Sequence, residues 1–394
     1  MARGVRVGIA WECPWVPSSY GKLCLWLAYG LQRLGFSVRV YCPTAPDVTL
    51  YSRYVLYSPA CDYRELGVCL DLEAPLQVAS DRVLGQDGDV DVYLIGGSPY
   101  GQVESSWVSR CSRLRQPVAG YFVSESVAVP PHLSSWLLHV DAVGFPARAV
   151  AEAFLTSRAV AEVHRDYVVV PHGLPDYYFR VDRGALVDYL LKGFEPSEYL
   201  ALALDSREAG SLVGAVAKNH PRKDVGALLT ALALARRRSG NRRLRLLLAL
   251  VDAAGGGGWD ALGISYLLGL SHQDVVPLDP TQRETGVTEV GLLQLYSLVN
   301  AFAFPTLGEG FGLPPVEAGA LGIPVVVTRT PVTEEVWGPG YPLLVRGYPR
   351  VFESGFVLHL TDYADLAERI LEALGDQAKY GRLARSVAEG YTLR

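Results

Sequence analysis

The strongest constraint on this chain is an alternation of short apolar runs with helical stretches, which occurs twice. VRVGIAW (5–11) reads as a buried strand, and ECPWVPSSYG as a loop. KLCLWLAYGLQRL then repeats apolar residues at Leu23, Trp26, Leu27, Leu31 and Leu34, which is helical spacing. Gly35 fits the helix end and FSVRVYC the next strand. Neighbouring parallel strands need a crossover, so strand, helix and strand in that order predict a parallel βαβ unit. DVDVYLIGG (89–97), PVAGYFV (117–123), VDAVGF (140–145) and YVVVPHG (167–173) continue the series, with helical segments such as PARAVAEAFLTS between them.

Residues 174–210 break the pattern; they are polar, Pro-interrupted and read as holding one helical stretch. The alternation restarts at SLVGAVA (211–217), followed by a helix DVGALLTALALARRR and a strand RLRLLLALV (243–251). DVVPLD, TEVGLLQLYSLV, NAFAFPT, PPVEAGAL and IPVVVT repeat strand and helix in turn. A strand near 355–360 and a helical stretch over 363–389 end the chain. At 394 residues the chain exceeds one ordinary core. The reading is an α/β protein of two parallel-sheet units, 1–175 and 205–370.

A net charge of −5 argues against nucleic-acid binding as the main role. No run of 18 apolar residues reads as a membrane span, and the N-terminal apolar run is too short for a signal peptide, so a cytoplasmic location is expected. Cys13, Cys24, Cys42, Cys61, Cys69 and Cys111 show no CxxC spacing, which argues against zinc; isolated buried thiols are the expectation. One Met, three Asn and many Arg and Pro hint at a thermophile, where an intracellular disulfide is admissible. AGGGGWD (254–260) lacks the GK[ST] ending of a phosphate loop, and the first βα loop has Gly21 but no GxGxxG, against a dinucleotide cofactor.

GEGFGLPPVEAGALGIPVVV (308–327) puts two carboxylates, Glu309 and Glu317, into an apolar and glycine-rich stretch. Gly308, Gly310 and Gly312 allow a tight turn after a strand, and Pro314 and Pro315 suit the start of a helix. Glu317 is then expected in the first helical turn, a position the helix dipole alone would favour. That does not account for Glu309. Glycine N–H groups at a helix start attract phosphate, while a carboxylate, which only accepts, suits a pair of hydroxyls. A diphosphate flanked by two diols, as in a nucleotide sugar, meets both demands.

Glu309 and Glu317 with seven residues between them, in EGFGLPPVEA, resemble the paired-glutamate signature of the retaining glycosyltransferases of family 4. SSYGKLCLWLAYGLQRLGFSVRV, VVVPHG and LLQLYSLVNAFAFPT extend the resemblance over nearly the whole chain. It implies a GT-B fold, two doubly wound, Rossmann-like domains facing across a cleft, with a last helix at about 375–394 packing back on the first. It further implies that Glu317 holds the donor ribose and Glu309 the transferred sugar, a hexose of glucose or mannose type. Phe311, Gly312 and Leu313, with Gly310, would offer backbone contacts, and Gly21 would let the opposite domain approach the phosphate.

LVGAVAKNHPRKDVGALL carries Lys218, Arg222 and Lys223 just before a helix, with Asp224 as its N-cap. Cations at a helix N-terminus oppose its dipole unless an anion binds there. The resemblance implies an Arg and a Lys that neutralise the departing diphosphate. Lys223 matches the Lys; Lys218 is the first choice for the second cation and Arg222 the other. Relatives carry a histidine after the fourth strand; here Ser124, Glu125 and Ser126 stand there. Glu125 then either makes a similar hydrogen bond, serves the acceptor, or is a surface residue. His132 and His172 are read as structural first.

No DxD motif stands in a suitable place, so metal-independent transfer is expected. The base, uracil or guanine, is expected to be read near VVPLDPTQ (275–282). UDP-glucose and GDP-mannose represent the donor classes. The acceptor, a sugar, a lipid-linked glycan or a small molecule, is left open. Trp107 with Arg110, Arg113 and Arg115 reads either as a peripheral contact with an anionic membrane face or as a solvated helix face. The competing reading is a catalytically silent sugar-nucleotide binder or partner subunit.

Overall fold

The computed structural model describes all residues except 1–3, 44–47, 51–71, 73, 87, 99–101, 112, 114, 193–196, 253–257 and 394. Cys61, Cys69 and most of the AGGGG segment therefore lie outside the described residues. The first unit is an eight-stranded sheet. Its strands are β1 (Arg6–Ala10), β2 (Ser37–Cys42), β3 (Val48–Leu50), β4 (Leu76–Ser80), β5 (Val92–Gly97), β6 (Val118–Phe122), β7 (Ala142–Phe145) and β8 (Val168–Val169), in the spatial order β3-β4-β2-β1-β5-β6-β7-β8. The second has β9 (Leu212–Asn219), β10 (Arg245–Asp252), β11 (Val275–Pro277), β12 (Ala301–Phe304), β13 (Val325–Thr328) and β14 (Leu344–Val345), in the order β11-β10-β9-β12-β13-β14. All pairings are parallel except β3 with β4.

Each sheet starts in its middle, runs to one side, then jumps back and runs to the other. The strand order reverses between β1 and β5 in one unit and between β9 and β12 in the other. Loops at the carboxyl ends of such neighbours diverge and leave a crevice, where α/β folds seat ligands. Parallel strands are covered on both faces, which is why runs such as Val325, Val326 and Val327 are fully buried.

Several expectations are corrected. Residues 174–210 hold three helices, Tyr177–Arg180, Arg183–Leu191 and Glu198–Glu208, not one. The strand near 355–360 is β16 (Val357–Thr361), which pairs antiparallel with β15 (Gly347–Val351) outside both large sheets. The helix Gln377–Ala388 lies on Leu313–Ala320 of the second unit, where a side chain on Gly319 would press on the Ala384 carbonyl at 3.0 Å. Only the tail returns to the first unit's end, bridging Leu174 and Thr392.

Cys13 and Cys42 are paired rather than isolated, with Cα atoms 5.2 Å apart. The bond ties the loop after β1 to the end of β2, across 29 positions. Cys24 is free and buried, and burial pushes its thiol up. Reduction, or Cys13→Ser, is expected to lower stability by about 2–4 kcal/mol. Urea unfolding with and without reductant checks this; coincident midpoints would refute it.

Candidate active site

The loop after β12 and the loop after β9 meet at the reversal point of the second sheet. Thr306 organises the first of them: its hydroxyl accepts from the Gly308 N–H at 3.2 Å and donates to Glu309 Oε1 at 2.7 Å. Gly312 then turns the chain with φ at 88°, which favours glycine, into the helix Leu313–Ala320 with Pro314 and Pro315 in its first turn. Gly308 and Gly310 are small for a different reason from the one expected. A Cβ on Gly308 would sit 2.0 Å from the Glu125 carbonyl oxygen, and one on Gly310 2.7 Å from Val123 Cβ. These glycines let the two units touch.

Glu309 is 7% exposed and ion-paired. Arg222 Nη1 lies 2.7 Å and Lys223 Nζ 2.5 Å from Oε1, the oxygen Thr306 also reaches; Oε2 takes none of these contacts. Burial alone would raise this carboxyl, but Arg222 and Lys223 outweigh it and hold it below its ordinary value. Arg222 also donates to the Gly308 carbonyl at 2.8 Å and reaches Glu125 of the first unit at 3.3 Å. Burial, then repulsion from Arg222, pulls Lys223 down to about 8 against the attraction of Glu309. Asp224 stands at the N-cap position as expected, but in a left-handed conformation with φ at 44° and with no side-chain bond to cap the helix.

Glu317 is 1% exposed and sits in the second turn, not the first, because the helix begins at Leu313. The dipole effect fades beyond the first turn and does not account for it. Its Oε1 accepts from Lys22 at 2.9 Å and its Oε2 from the Tyr296 hydroxyl at 2.7 Å. Lys22 belongs to the first unit's helix Ser19–Arg33 and is itself buried. It also meets Glu289 at 2.7 Å and the Tyr178 oxygen at 3.1 Å. Tyr177 and Tyr178 donate to Glu289 Oε1 at 2.9 and 2.5 Å. Burial opposes the Lys22 charge, yet Glu289 and Glu317 prevail and its pKa is raised.

Glu125, Lys218, Arg222, Lys223, Glu309 and Glu317 thus line one cavity of about 220 Å³ between the units. Gly310, Phe311, Gly312 and Leu313 line it too. Lys218 is exposed near the end of β9 and faces the cavity without a carboxylate partner, whereas Arg222 holds Glu309. Gly21 does not line it: its N–H donates to Ser18 Oγ, and Val16 O would lie 2.3 Å from an added Cβ, so its smallness serves local packing. The wall includes Val251, Val287 and Leu292 but none of residues 275–282. His132 sits on the short helix Pro131–Ser134. Trp107 is 2% exposed and donates to Asp81 at 2.9 Å, so the aromatic half of the supposed membrane patch is buried. Among the described residues no helix is long and apolar enough to cross a membrane.

Reading the residues in order misses Lys22, Glu289, Tyr178 and Tyr296. One signal was present: Lys22 stands one turn before Trp26 on the apolar face of its helix, an unusual place for a charge.

Residues 285–389 match the family model of the glycosyl transferases group 1. Over 68 residues the chain is 42% identical to the O-antigen chain mannosyltransferase RfbU of Salmonella typhimurium, covering 16% of this chain and 19% of that protein. Over 112 residues it is 36% identical to the serotype-specific mannosyltransferase WbdA of Escherichia coli, covering 27% of this chain and 13% of that protein. The chain thus spans less than a fifth of the length of these curated relatives. Sucrose-phosphate synthase of Thermosynechococcus elongatus superposes with a TM-score of 0.65 at 16% identity, over 98% of this chain and 94% of that one. The chain therefore has the GT-B fold, and its residues 285–389 match the glycosyl transferases group 1 family.

Proposed function

We propose that this protein is a retaining glycosyltransferase that moves a hexose from a nucleotide-diphosphate sugar to an acceptor hydroxyl. One observation carries the reading: the cavity is sorted by charge. At one end three cations, Lys218, Arg222 and Lys223, face two carboxylates, Glu125 and Glu309, a surplus of one positive charge. At the other, Lys22 and Glu317 line the cavity with Glu289 buried behind them, a trio with a surplus of one negative charge. The first suits a diphosphate. The second repels phosphate and suits the hydroxyls of a ribose, for which each Glu317 oxygen keeps a lone pair beyond its present donor. Glu309 Oε2, outside the contacts that hold Oε1, would take a hydroxyl of the transferred sugar.

In the transfer, the bond from the anomeric carbon to the diphosphate oxygen breaks and the acceptor oxygen bonds that carbon on the same face. The acceptor proton passes to the leaving phosphate oxygen. The protein's part is to position both substrates and to stabilise charge on the diphosphate, with Arg222 and Lys223 supplying the positive charge that a metal supplies elsewhere. The names of the curated relatives put mannose-type donors first for trial. A thermal-shift screen against UDP- and GDP-sugars tests the reading, since a ligand that prefers the folded state raises the melting temperature. Stabilisation by one donor, lost in Glu317→Ala, is expected; no shift with any nucleotide sugar would sink it. Release of nucleoside diphosphate from that donor separates an enzyme from a silent binder.

Lys223 adds a pH prediction. Its lowered pKa means that the protein loses stability as pH falls from the ordinary lysine value of 10.5 toward about 8, below which the cost is constant. A bound diphosphate would favour the charged form and raise that pKa again. Donor binding at pH 8.5 is therefore expected to take up a fraction of a proton and to strengthen as pH falls from about 10 to 7. Calorimetry in buffers of different ionisation enthalpy reads this directly; a flat heat across buffers would remove Lys223 from the phosphate site.

A further inference from the structure

His172 follows β8, where the first unit ends. It is 6% exposed and borders the same cavity as Glu309 and Glu317. Neither ring nitrogen has a partner among the described residues. The ring is held by aromatic neighbours, its centroid 4.8 Å from Phe311 and 5.8 Å from Tyr121. An orphaned polar group inside a protein opposes folding, so two on one fixed ring want a reason. Burial keeps the imidazole neutral, with its pKa lowered to about 3. A neutral imidazole offers one N–H and one bare nitrogen, a donor and an acceptor together. That matches a hydroxyl, which is also both. It does not match a phosphate, and the cations stand on other elements.

We propose that His172 is a sugar-binding residue, whose unpaired ring nitrogens take a hydroxyl of the hexose carried by the donor. This rests on the glycosyltransferase reading and adds to it a specificity-determining contact from the segment that links the two units. Packing against Phe311 would set the ring plane, so the contact selects hydroxyl position rather than charge.

The test compares His172→Ala, His172→Phe and His172→Gln in the full chain, each titrated with a nucleotide sugar that shifts the wild type and with the matching nucleoside diphosphate. Loss of one hydrogen bond to a bound hydroxyl predicts sugar-nucleotide binding weaker by about tenfold in the Ala and Phe variants. The nucleoside diphosphate alone should bind each variant within about twofold of wild type, because it has no hexose. Gln, which keeps a donor and an acceptor, should restore most of the loss. The unliganded Phe variant should melt at or above the wild-type temperature, since the orphaned nitrogens are gone. Equal binding of the nucleotide sugar by all variants overturns the proposal, as does a parallel loss of both ligands, which marks a purely structural role. Failure of the wild type to bind either ligand would bring down the glycosyltransferase reading and this proposal with it. Normal wild-type binding with unaffected variants would bring down this proposal alone.

Discussion

Replacing Lys22 with Met is expected to destabilise the protein by about 3–5 kcal/mol at neutral pH, the cost of breaking a buried ionic cluster from one side. Among the described residues Lys22 is the one cation paired with Glu289 and Glu317, whose side chains are at most 2% exposed. Three tyrosine hydroxyls also donate to these carboxylates, but phenols do not cancel their charge. The sign of the pH dependence follows. The Lys22 pKa is raised in the folded state, so its contribution is fully present below its ordinary value near 10.5 and is lost as pH rises from there through the higher folded value. The wild type thus keeps it throughout the neutral range. Urea unfolding of both proteins at pH 7.5 measures the loss. A variant within about 1 kcal/mol of wild type at pH 7.5 would show that the cluster is not ionised as drawn. Because Lys22 comes from the first unit and Glu317 from the second, the same variant should loosen the closed arrangement of the two.

Arg222→Ala is the second large effect: release of nucleoside diphosphate from the donor should slow by about 10²–10³-fold, the scale of losing one preorganised charge partner of a transition state. Arg222 touches Glu309, the Gly308 carbonyl and Glu125 at once, so its fork is held before any ligand arrives. Lys in its place should not rescue, because a point charge cannot make three directed contacts. Lys218→Ala, in an exposed side chain with no such anchoring, should cost much less. Single-turnover rates decide between them: a larger loss for Lys218 would restore the assignment first favoured by the spacing of the basic loop. An unchanged rate in Arg222→Ala would remove the charge role from this arginine.

What could be read in advance follows the range of the interactions. The strands and the crossover helices announce themselves through periods of two and 3.6 residues, so β1, β2, β9, β10, β12 and β13 fall where expected. Glu309, Arg222 and Lys223 sit in local breaks of an apolar pattern and were legible for that reason. The pairing of Lys22 with Glu317 spans 295 positions, and nothing local in either segment names the other. The Cys13–Cys42 bond leaves no spacing signature either. The strand LQVAS is short and half polar, so β4 shows only once β2 and β3 flank it. In the sequence His172 reads as a packing or hinge residue first; that its ring nitrogens find no partner among the described residues depends on the final packing.

Gly308 presses on the Glu125 carbonyl so closely that even a methyl group cannot fit. The smallest possible side chain there would therefore act as a wedge, prising the halves apart without touching an ionised group. Gly308→Ala offers a way to hold the molecule ajar, and so to weigh each ligand's grip on one jaw before the other closes over it.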